Sequence, residues 1–368
     1  MYRHWACPLT IPLPGCLGFT PPLQLILLMQ LLITGAAGFL GGRLAKALAA
    51  QGYTVRATSR RTHRTTELTA QGATFLPGDL TDPLTCQQVV AGCDAVIHCA
   101  ALSAPWGPYQ AFYQANVRTT YHLLDAAQAA GVRRFLNIGT PSIYANFQDR
   151  LNVHEGSPLP RHLINHYAAT KLAAENEVLR RHQPGFATLS LRPRAIIGAE
   201  DQVIFPRLIR AYQAGRLRII GRGDNLASLS SVPNLVQAMH SALQAPVAHW
   251  GRAYNLADPQ PVPLWEAINY VLSALGHAPV SRHVPYPMAM TAATLAETMA
   301  RLRGSGEPTL TRYGISVLAR SFTLDPWLAQ RQLGYSPALT SWQGLEEFIA
   351  WYQAEATDAR KNSSTSGK

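Results

Sequence analysis

One short segment near the start of the chain restricts the possible folds more than any other feature of the sequence. Residues 30–34 (QLLIT) form an apolar run typical of a buried parallel strand, and the glycine-rich residues 35–41 (GAAGFLG) follow it directly. Residues 43–50 then show a helical pattern, and residues 53–58 form a second apolar run. A strand, a glycine-rich turn, a helix and a second strand in this order predict a βαβ unit.

The three glycines of this turn have the spacing that binds a pyrophosphate. Gly35 permits the tight turn, Gly38 lets backbone amides approach the phosphates, and Gly41 lets the helix pack closely against the strand. The positive end of the helix also favours an anion at this position. The turn therefore predicts a dinucleotide site. The residues of the turn expected to contact the dinucleotide are Gly35, Ala37, Gly38, Phe39, Leu40 and Gly41.

The residues that end the second strand indicate which dinucleotide binds. A carboxylate at this point accepts hydrogen bonds from the ribose 2′-hydroxyl of NAD, whereas an arginine suits the 2′-phosphate of NADP. This chain has Ser59, Arg60 and Arg61 there, and no acidic residue lies between residues 53 and 64. We therefore predict NADP(H) in preference to NAD(H), with Ser59 and Arg60 at the 2′ position. A solvated basic loop is the alternative interpretation.

Three further apolar runs continue the predicted sheet. They occupy residues 73–76, 95–101 and 134–138, and each has the length of a buried parallel strand. Ligands of an open parallel sheet lie beyond the carboxyl ends of its strands. The residues expected to contact the dinucleotide from these strand ends are Asp79, Leu80, Ala100 and Ala101. We interpret His98, inside the fourth run, as a packed and hydrogen-bonded residue rather than a catalyst.

A tyrosine and a lysine are spaced for proton transfer. Tyr167 and Lys171 lie four residues apart in a segment, 161–183, that contains no glycine or proline, so they share one face of a predicted helix. A free tyrosine has a pKa of about 10, and a nearby ammonium group lowers it towards neutrality. The hydroxyl of Thr140 follows the predicted strand 134–138, and Ser142 is the alternative to it. The alternative for the pair is a purely structural contact.

Composition excludes several classes of protein. The 368 residues are 47% apolar and 14% charged, which excludes a disordered chain and a coiled coil. The net charge of +11 comes from arginines that are mostly spread singly, so we expect no nucleic-acid partner. The five cysteines lack metal-ligand spacing, so we expect no metal site and a cytoplasmic protein with reduced thiols. The apolar stretch 23–33 is too short to span a bilayer, so we expect no stable membrane insertion.

The length and the strand pattern predict an α/β fold, a doubly wound parallel Rossmann sheet with a smaller, interleaved C-terminal part that binds substrate. The parts are a leader or mis-assigned start expected to be disordered (1–28), the dinucleotide-binding domain (29–195), the mainly substrate-binding part (196–356) and a disordered tail (357–368). A strand near residues 253–257 is expected to return to the main sheet. The methionine-rich stretch 288–301 is interpreted as core rather than as a cap that contacts lipid.

Taken in order, these motifs resemble one large enzyme family. The segments that carry the resemblance are 34–41, Asp79, 98–101, Asn116–Val117, Thr140, 167–171 and 191–193 (LRP). The chain is similar over residues 30 to about 352 to extended short-chain dehydrogenases/reductases of the NAD-dependent epimerase/dehydratase group. The resemblance implies that Tyr167 is the acid/base, that Lys171 holds the nicotinamide ribose, and that Thr140 bonds the reacting oxygen. It also implies cofactor contacts from Asn116 and Pro193, and a homodimer.

Within that group the chain looks most like the 3β-hydroxysteroid dehydrogenase-like branch, which includes bacterial reductases of 2-alkyl-3-oxoalkanoic acids. The segments 106–109 (WGPY), 113–116 (YQAN), 139–142 (GTPS), 262–266 (VPLWE) and 307–312 (EPTLTR) carry this similarity. It implies that the enzyme interconverts a secondary alcohol and a ketone on a small lipophilic substrate, a 3-oxo or 3-hydroxy acid or a sterol-like molecule. Arg194 and Arg207 are candidate partners for a substrate carboxylate.

Two alternatives remain open. A nucleotide-sugar epimerase or dehydratase normally carries an arginine for the substrate pyrophosphate where this chain has Ala227, although Arg218 or Arg222 could replace it. A catalytically silent dinucleotide-binding protein would keep the fold without turnover.

Overall fold

A computed structural model describes residues 29–304 and 306–365. The expected leader, residues 1–28, therefore lies outside the described residues. The large sheet has seven parallel strands, β1 (Gln30–Thr34), β2 (Thr54–Ser59), β3 (Thr74–Pro77), β4 (Ala95–His98), β5 (Arg134–Ile138), β7 (Ala187–Pro193) and β12 (Ala253–Leu256). Their order across the sheet is β3-β2-β1-β4-β5-β7-β12. The strand order reverses between β1 and β4, as in a doubly wound Rossmann sheet.

Both faces of this sheet are covered, which explains its continuous apolar strands. Leu31 and Ile33 of β1 pack into the hydrophobic cluster on one face, whereas Leu32 packs into the cluster on the other. Because side chains alternate along a strand, only a run of consecutive apolar residues can fill both layers. The predicted α/β class and doubly wound sheet are therefore confirmed.

The helices are α1 (Phe39–Ala50), α2 (Thr65–Ala70), α3 (Pro83–Val90), α4 (Tyr109–Phe112), α5 (Thr119–Ala129), α6 (His166–Arg180), α7 (Ile204–Gln213), α8 (Val232–Gln244), α9 (Leu264–Ala274), α10 (Tyr286–Arg303), α11 (Arg312–Ala319), α12 (Trp327–Leu333) and α13 (Ser341–Thr365). A π-helical turn (Tyr113–Arg118) joins α4 to α5, and 3₁₀ turns occupy Pro141–Tyr144 and Val247–His249. No helix of the described residues is both long and apolar enough to cross a membrane.

The smaller part is built on short strands and a core of its own. Its strands are β6 (Arg150–Val153), β8 (Ile196–Ile197), β9 (Ile219–Ile220), β10 (Leu226–Ala227), β11 (Ser230–Ser231), β13 (Val262–Pro263), β14 (His283–Val284) and β15 (Phe322–Leu324). Trp265, Ile268 and Phe348 belong to its hydrophobic cluster. Strand β12 comes from the same stretch of chain but pairs with β7 in the large sheet, so the two parts interleave.

Two predictions about the C-terminal part are wrong. The stretch 288–301 is not mainly core, because Met288, Leu295 and Met299 on α10 are 65%, 60% and 46% exposed. The expected disordered tail is helical over residues 357–365, since α13 runs to Thr365. A helix already nucleated by packing adds further residues at little cost, and no glycine or proline follows Gly344 before Gly367. The last residues, 366–368, lie outside the described part.

Candidate active site

The glycine-rich turn packs so closely that side chains cannot be accommodated at two of its positions. Gly35 has a φ of +67°, and a Cβ placed on it would lie 2.8 Å from the backbone nitrogen of Ala100. A Cβ on Gly41 would lie 2.5 Å from the carbonyl oxygen of Gly35. Helix α1 starts after Gly38 without a side-chain cap and without an acidic residue in its first turn. The backbone amides at this helix end therefore suit a phosphate group.

A buried histidine fixes the end of β4 beside this turn. His98 Nδ1 lies 2.8 Å from the hydroxyl of Thr34, and its Nε2 lies 3.1 Å from the hydroxyl of Thr120. The Thr34 hydroxyl also accepts a hydrogen bond from the amide of Ala100 at 3.1 Å. Burial, assisted by the positive charge of Lys171, lowers the pKa of His98 to about 3. The interpretation of His98 as a packed residue is confirmed, because both ring nitrogens are engaged.

The structure brings the predicted tyrosine and threonine together. The hydroxyl of Tyr167, on α6, makes hydrogen-bonding contacts with Thr140 and Ser103. Thr140 follows β5, is buried, and accepts a hydrogen bond from the amide of Ser142 at 3.2 Å. Helix α6 starts at His166 because Asn165 caps it through the amide of Ala168 at 2.8 Å. The sequence missed Ser103, which follows β4 without a distinctive pattern.

The alternative hydroxyl, that of Ser142, points to a different partner. It lies 3.3 Å from the hydroxyl of Tyr313, which the sequence analysis also missed. Tyr313 directly follows the segment 307–312, so extending that motif by one residue would have found it.

The electrostatic expectation for Tyr167 is wrong. Burial raises the pKa of Tyr167, the contacts with Thr140 and Ser103 lower it, and nearby Tyr313 raises it. The causes of this shift are burial, Thr140, Ser103 and Tyr313, whereas the charged form of Lys171 is favoured by Glu175 and Cys99. Burial lowers the pKa of Lys171 to about 8, and those two neighbours raise it. The tyrosine therefore stays protonated, and the lysine is mostly charged at neutral pH.

A buried ion pair between Glu175 and Arg192 lies next to Lys171. Glu175 accepts hydrogen bonds from Arg192 Nε at 3.0 Å and from the hydroxyl of Ser190 at 2.7 Å. Arg192 also donates to the hydroxyl of Tyr144. Because a buried carboxylate needs this many partners, the cluster fixes the position of Glu175 one helical turn beyond Lys171.

The side chain of Asn116 is buried, and both of its polar atoms are hydrogen-bonded. Its Oδ1 accepts from the amide of Leu102 at 2.7 Å, and its Nδ2 donates to the Leu102 carbonyl at 3.2 Å and to the hydroxyl of Thr170 at 3.1 Å. The side chain is 1% exposed. Asn116 therefore ties the loop after β4 to helix α6.

The basic loop after β2 contains two kinds of arginine. Arg64 pairs with Glu67 and Glu200, so its charge is compensated. Arg60 and Arg61 are exposed at the carboxyl end of β2, and Ser59 is partly buried. This arrangement leaves Arg60 and Arg61 accessible to an anionic ligand.

The other predicted cofactor residues lie at the carboxyl edge of the sheet, some of them with little accessible side chain. Asp79 is exposed, and its carboxylate accepts from the amide and hydroxyl of Thr81 at 3.0 and 2.9 Å. Ala37, Leu40, Leu80 and Pro193 are buried, Phe39 and Ala100 are partly buried, and Ala101 is exposed. Buried members of this set can meet a ligand only through backbone groups or small apolar surfaces.

A cleft of about 850 Å³ is lined by His166 and Ala169, which lie on either side of Tyr167 along α6. Its lining includes Trp106, Phe112, Phe147 and Tyr313. Helix α10 forms one wall, and it is anchored there by buried Glu297, which accepts from the amide and Nε of Arg312 at 2.8 and 2.9 Å. The aromatic part of the wall suits a lipophilic group, and Arg161, Arg301 and Arg312 also line the cleft.

Comparisons with known proteins agree with this geometry. Residues 31–257 match the model of the NAD dependent epimerase/dehydratase family. The chain belongs to this family. It is 34% identical to a 2-alkyl-3-oxoalkanoate reductase of Stenotrophomonas maltophilia, covering 88% of this chain and 99% of that protein. It is 35% identical to 4-hydroxy-2-methyl-3-oxo-4-farnesyl-3,4-dihydroquinoline-1-oxide ketoreductase of Stigmatella aurantiaca, covering 86% and 95%.

The chain is also similar to the solved structure of MoeE5 in complex with UDP-glucose and NAD. The TM-score is 0.69 at 25% identity, covering 89% of this chain and 99% of the other. The predicted resemblance to extended short-chain dehydrogenases/reductases is therefore confirmed. Ala227, at the position where an epimerase normally carries an arginine, is buried in β10 and pairs with Val262. No cationic side chain therefore occupies this position. Arg222 pairs with Asp224 on the surface, and Arg218 donates to the Leu217 carbonyl.

Proposed function

We propose that the protein is an NADP(H)-dependent oxidoreductase that interconverts a ketone and a secondary alcohol on a lipophilic substrate. The substrate class is a 3-oxo or 3-hydroxy acid or a sterol-like molecule. One observation carries the proposal: the hydroxyls of Thr140 and Ser103 interact with that of Tyr167, and Tyr167 lies on α6 next to His166, which lines the aromatic cleft. The names of the similar reductase and ketoreductase support it.

The bound dinucleotide would supply the hydride, and side chains of the protein would supply the proton. Thr140 and Ser103 orient the carbonyl oxygen of the substrate towards Tyr167, which donates its phenolic proton to that oxygen. The burial that raises the pKa of Tyr167 keeps this proton in place until the substrate is bound.

The turn and the loop after β2 fit the two ends of the cofactor. The uncapped amides of α1 would hold the pyrophosphate, and Lys171 would bind the hydroxyls of the nicotinamide ribose. Arg60 and Arg61 would pair with the 2′-phosphate, because both are exposed there while Arg64 is already compensated by Glu67.

The decisive experiment measures NADPH oxidation with 3-oxo acids and 3-ketosteroids, and product formation from UDP-sugars, using wild-type protein and the Tyr167→Phe variant. The variant should retain cofactor binding and lose about 100- to 10,000-fold in turnover, because it lacks the proton donor. Tyr270→Phe is the matched control, since Tyr270 lies on α9 and contacts only exposed Glu346 through its hydroxyl. Unchanged turnover in Tyr167→Phe would refute the role of Tyr167. Turnover of UDP-sugars alone would favour the epimerase instead.

A further inference from the structure

A small cavity next to the aromatic cleft has two arginines with unsatisfied nitrogens. The Nε atoms of Arg194 and Arg320 are both buried without a hydrogen-bond partner. Both residues line the same cavity, whose volume is about 20 Å³, together with Ser142, Tyr313 and Phe322. Of the described residues that line it, none is acidic. A cavity of this size holds one small polar group.

Arg194 is the less compensated of the two cations. Its guanidinium stacks over the ring of Phe322 at 4.6 Å and contacts the hydroxyl of Tyr313. Arg320 stacks over Tyr286 at 4.1 Å and has a weak ion pair with Asp149 at 3.7 Å. Burial lowers the pKa of Arg194, which shows that its charge is poorly solvated. A guanidinium stays protonated even so, because its intrinsic pKa is far above neutrality.

The other candidate for a carboxylate partner is already occupied. Arg207, on α7, pairs with Glu307. Arg194 follows Pro193 at the end of β7 and therefore lies at the carboxyl edge of the sheet, where substrates of open parallel sheets bind.

The cavity is adjacent to the reacting atoms. Tyr313 relates the two: its hydroxyl lies 3.3 Å from Ser142 Oγ and contacts Arg194, and Tyr313 is also close enough to Tyr167 to raise the pKa of Tyr167. The small cavity and the large cleft also share Phe147, Ile164 and Tyr313 in their walls. A ligand can therefore place an anionic group in the cavity, a carbonyl at Tyr167 and an alkyl chain in the cleft.

From this arrangement, we propose that Arg194, assisted by Arg320, forms a subsite for a carboxylate attached one carbon away from the reacting carbonyl. The inference rests on the proposed function, since it defines which end of the substrate enters first. A carboxylate in the cavity would lie beside both guanidinium groups, and no acidic residue of the described lining competes for them. The subsite selects 3-oxo and 3-hydroxy acids against neutral ketones and alcohols of the same length.

The test compares 3-hydroxydecanoic acid with its methyl ester as substrates for NADP⁺ reduction. Wild-type protein should prefer the acid, and Arg194→Gln should lower the acid-to-ester ratio of kcat/KM by about 10- to 100-fold, the worth of one charge-assisted hydrogen bond. Arg194→Lys should restore part of the ratio. The control is Arg134→Gln, because Arg134 is also partly buried over an aromatic ring, that of Trp250, but lies at the opposite end of β5.

A second measurement does not depend on turnover. The acid should raise the melting temperature of the wild-type holoprotein and should raise that of Arg194→Gln much less. The ester should shift the melting temperatures of the two proteins by the same amount. An equal loss for acid and ester in the variant, or no preference in the wild type, overturns the subsite. If the acid stabilises the protein through Arg194 but no substrate is oxidised or reduced, the subsite stands and the proposed function fails.

Discussion

Replacement of Gly41 by alanine tests how closely the predicted phosphate-binding turn is packed. The added Cβ would lie 2.5 Å from the Gly35 carbonyl oxygen, 2.8 Å from its carbon and 3.1 Å from the nitrogen of Ala36. All three are backbone atoms, so the strain cannot be relieved by moving a flexible side chain. Reaching an ordinary contact of 3.4 Å requires helix α1 and the turn to separate by about 0.9 Å.

This displacement has a calculable cost. Overpacking of this kind lowers the free energy of unfolding by about 1–3 kcal/mol. A shift of nearly 1 Å also breaks at least one hydrogen bond from a turn amide to a phosphate, which is worth about 1.5–3 kcal/mol. The Kd for NADPH should therefore increase about 10- to 150-fold.

Fluorescence titration of Gly41→Ala with NADPH measures the Kd, and thermal unfolding measures the loss of stability. Gly306→Ala is the matched control, because no atom lies within 4 Å of a Cβ placed there, and it should change neither quantity. Wild-type cofactor affinity in the Gly41→Ala variant would refute the assignment of this turn to the pyrophosphate.

Two further predictions concern the charges of the cofactor site. Arg60→Ala should raise the Kd for NADPH about tenfold more than the Kd for NADH, because only NADPH carries a 2′-phosphate; equal losses in paired titrations would contradict that role. The affinity for NADPH should decline above about pH 8, since burial lowers the pKa of Lys171 to about 8 and deprotonation above that value removes its charge. Isothermal titration across this range checks the profile, and a flat profile to about pH 9.5 would exclude Lys171 as a charged ligand of the cofactor.

The parts of the fold that sequence could predict are those specified by local pattern. Strands β1 and β5 have the predicted bounds, because each ends directly before a glycine, Gly35 or Gly139. Helix α1 starts four residues earlier than predicted, since Gly41 lies inside the helix, where its missing side chain permits contact with Gly35.

The parts that sequence could not predict depend on contacts between distant segments. Tyr313 reaches the site from α11, and Ser103 reaches it from the loop after β4, so no local spacing relates them to Tyr167. The exposed side of α10 was mistaken for core because methionine occurs in both environments. The preference for NADP(H) and the homodimer stay predictions.

The central claim is that hydride moves between the dinucleotide and a ketone carbon while Tyr167 supplies the proton. The most direct test uses NADPH deuterated at the transferable position of the nicotinamide ring, with a 3-oxo acid as substrate and mass spectrometry of the product. We expect one deuterium on the carbinol carbon for each NADPH consumed. In Tyr167→Phe, both the deuterated product and the consumption of NADPH should be lost. Product without deuterium, or conversion of a UDP-sugar with no net loss of NADPH, would contradict the account.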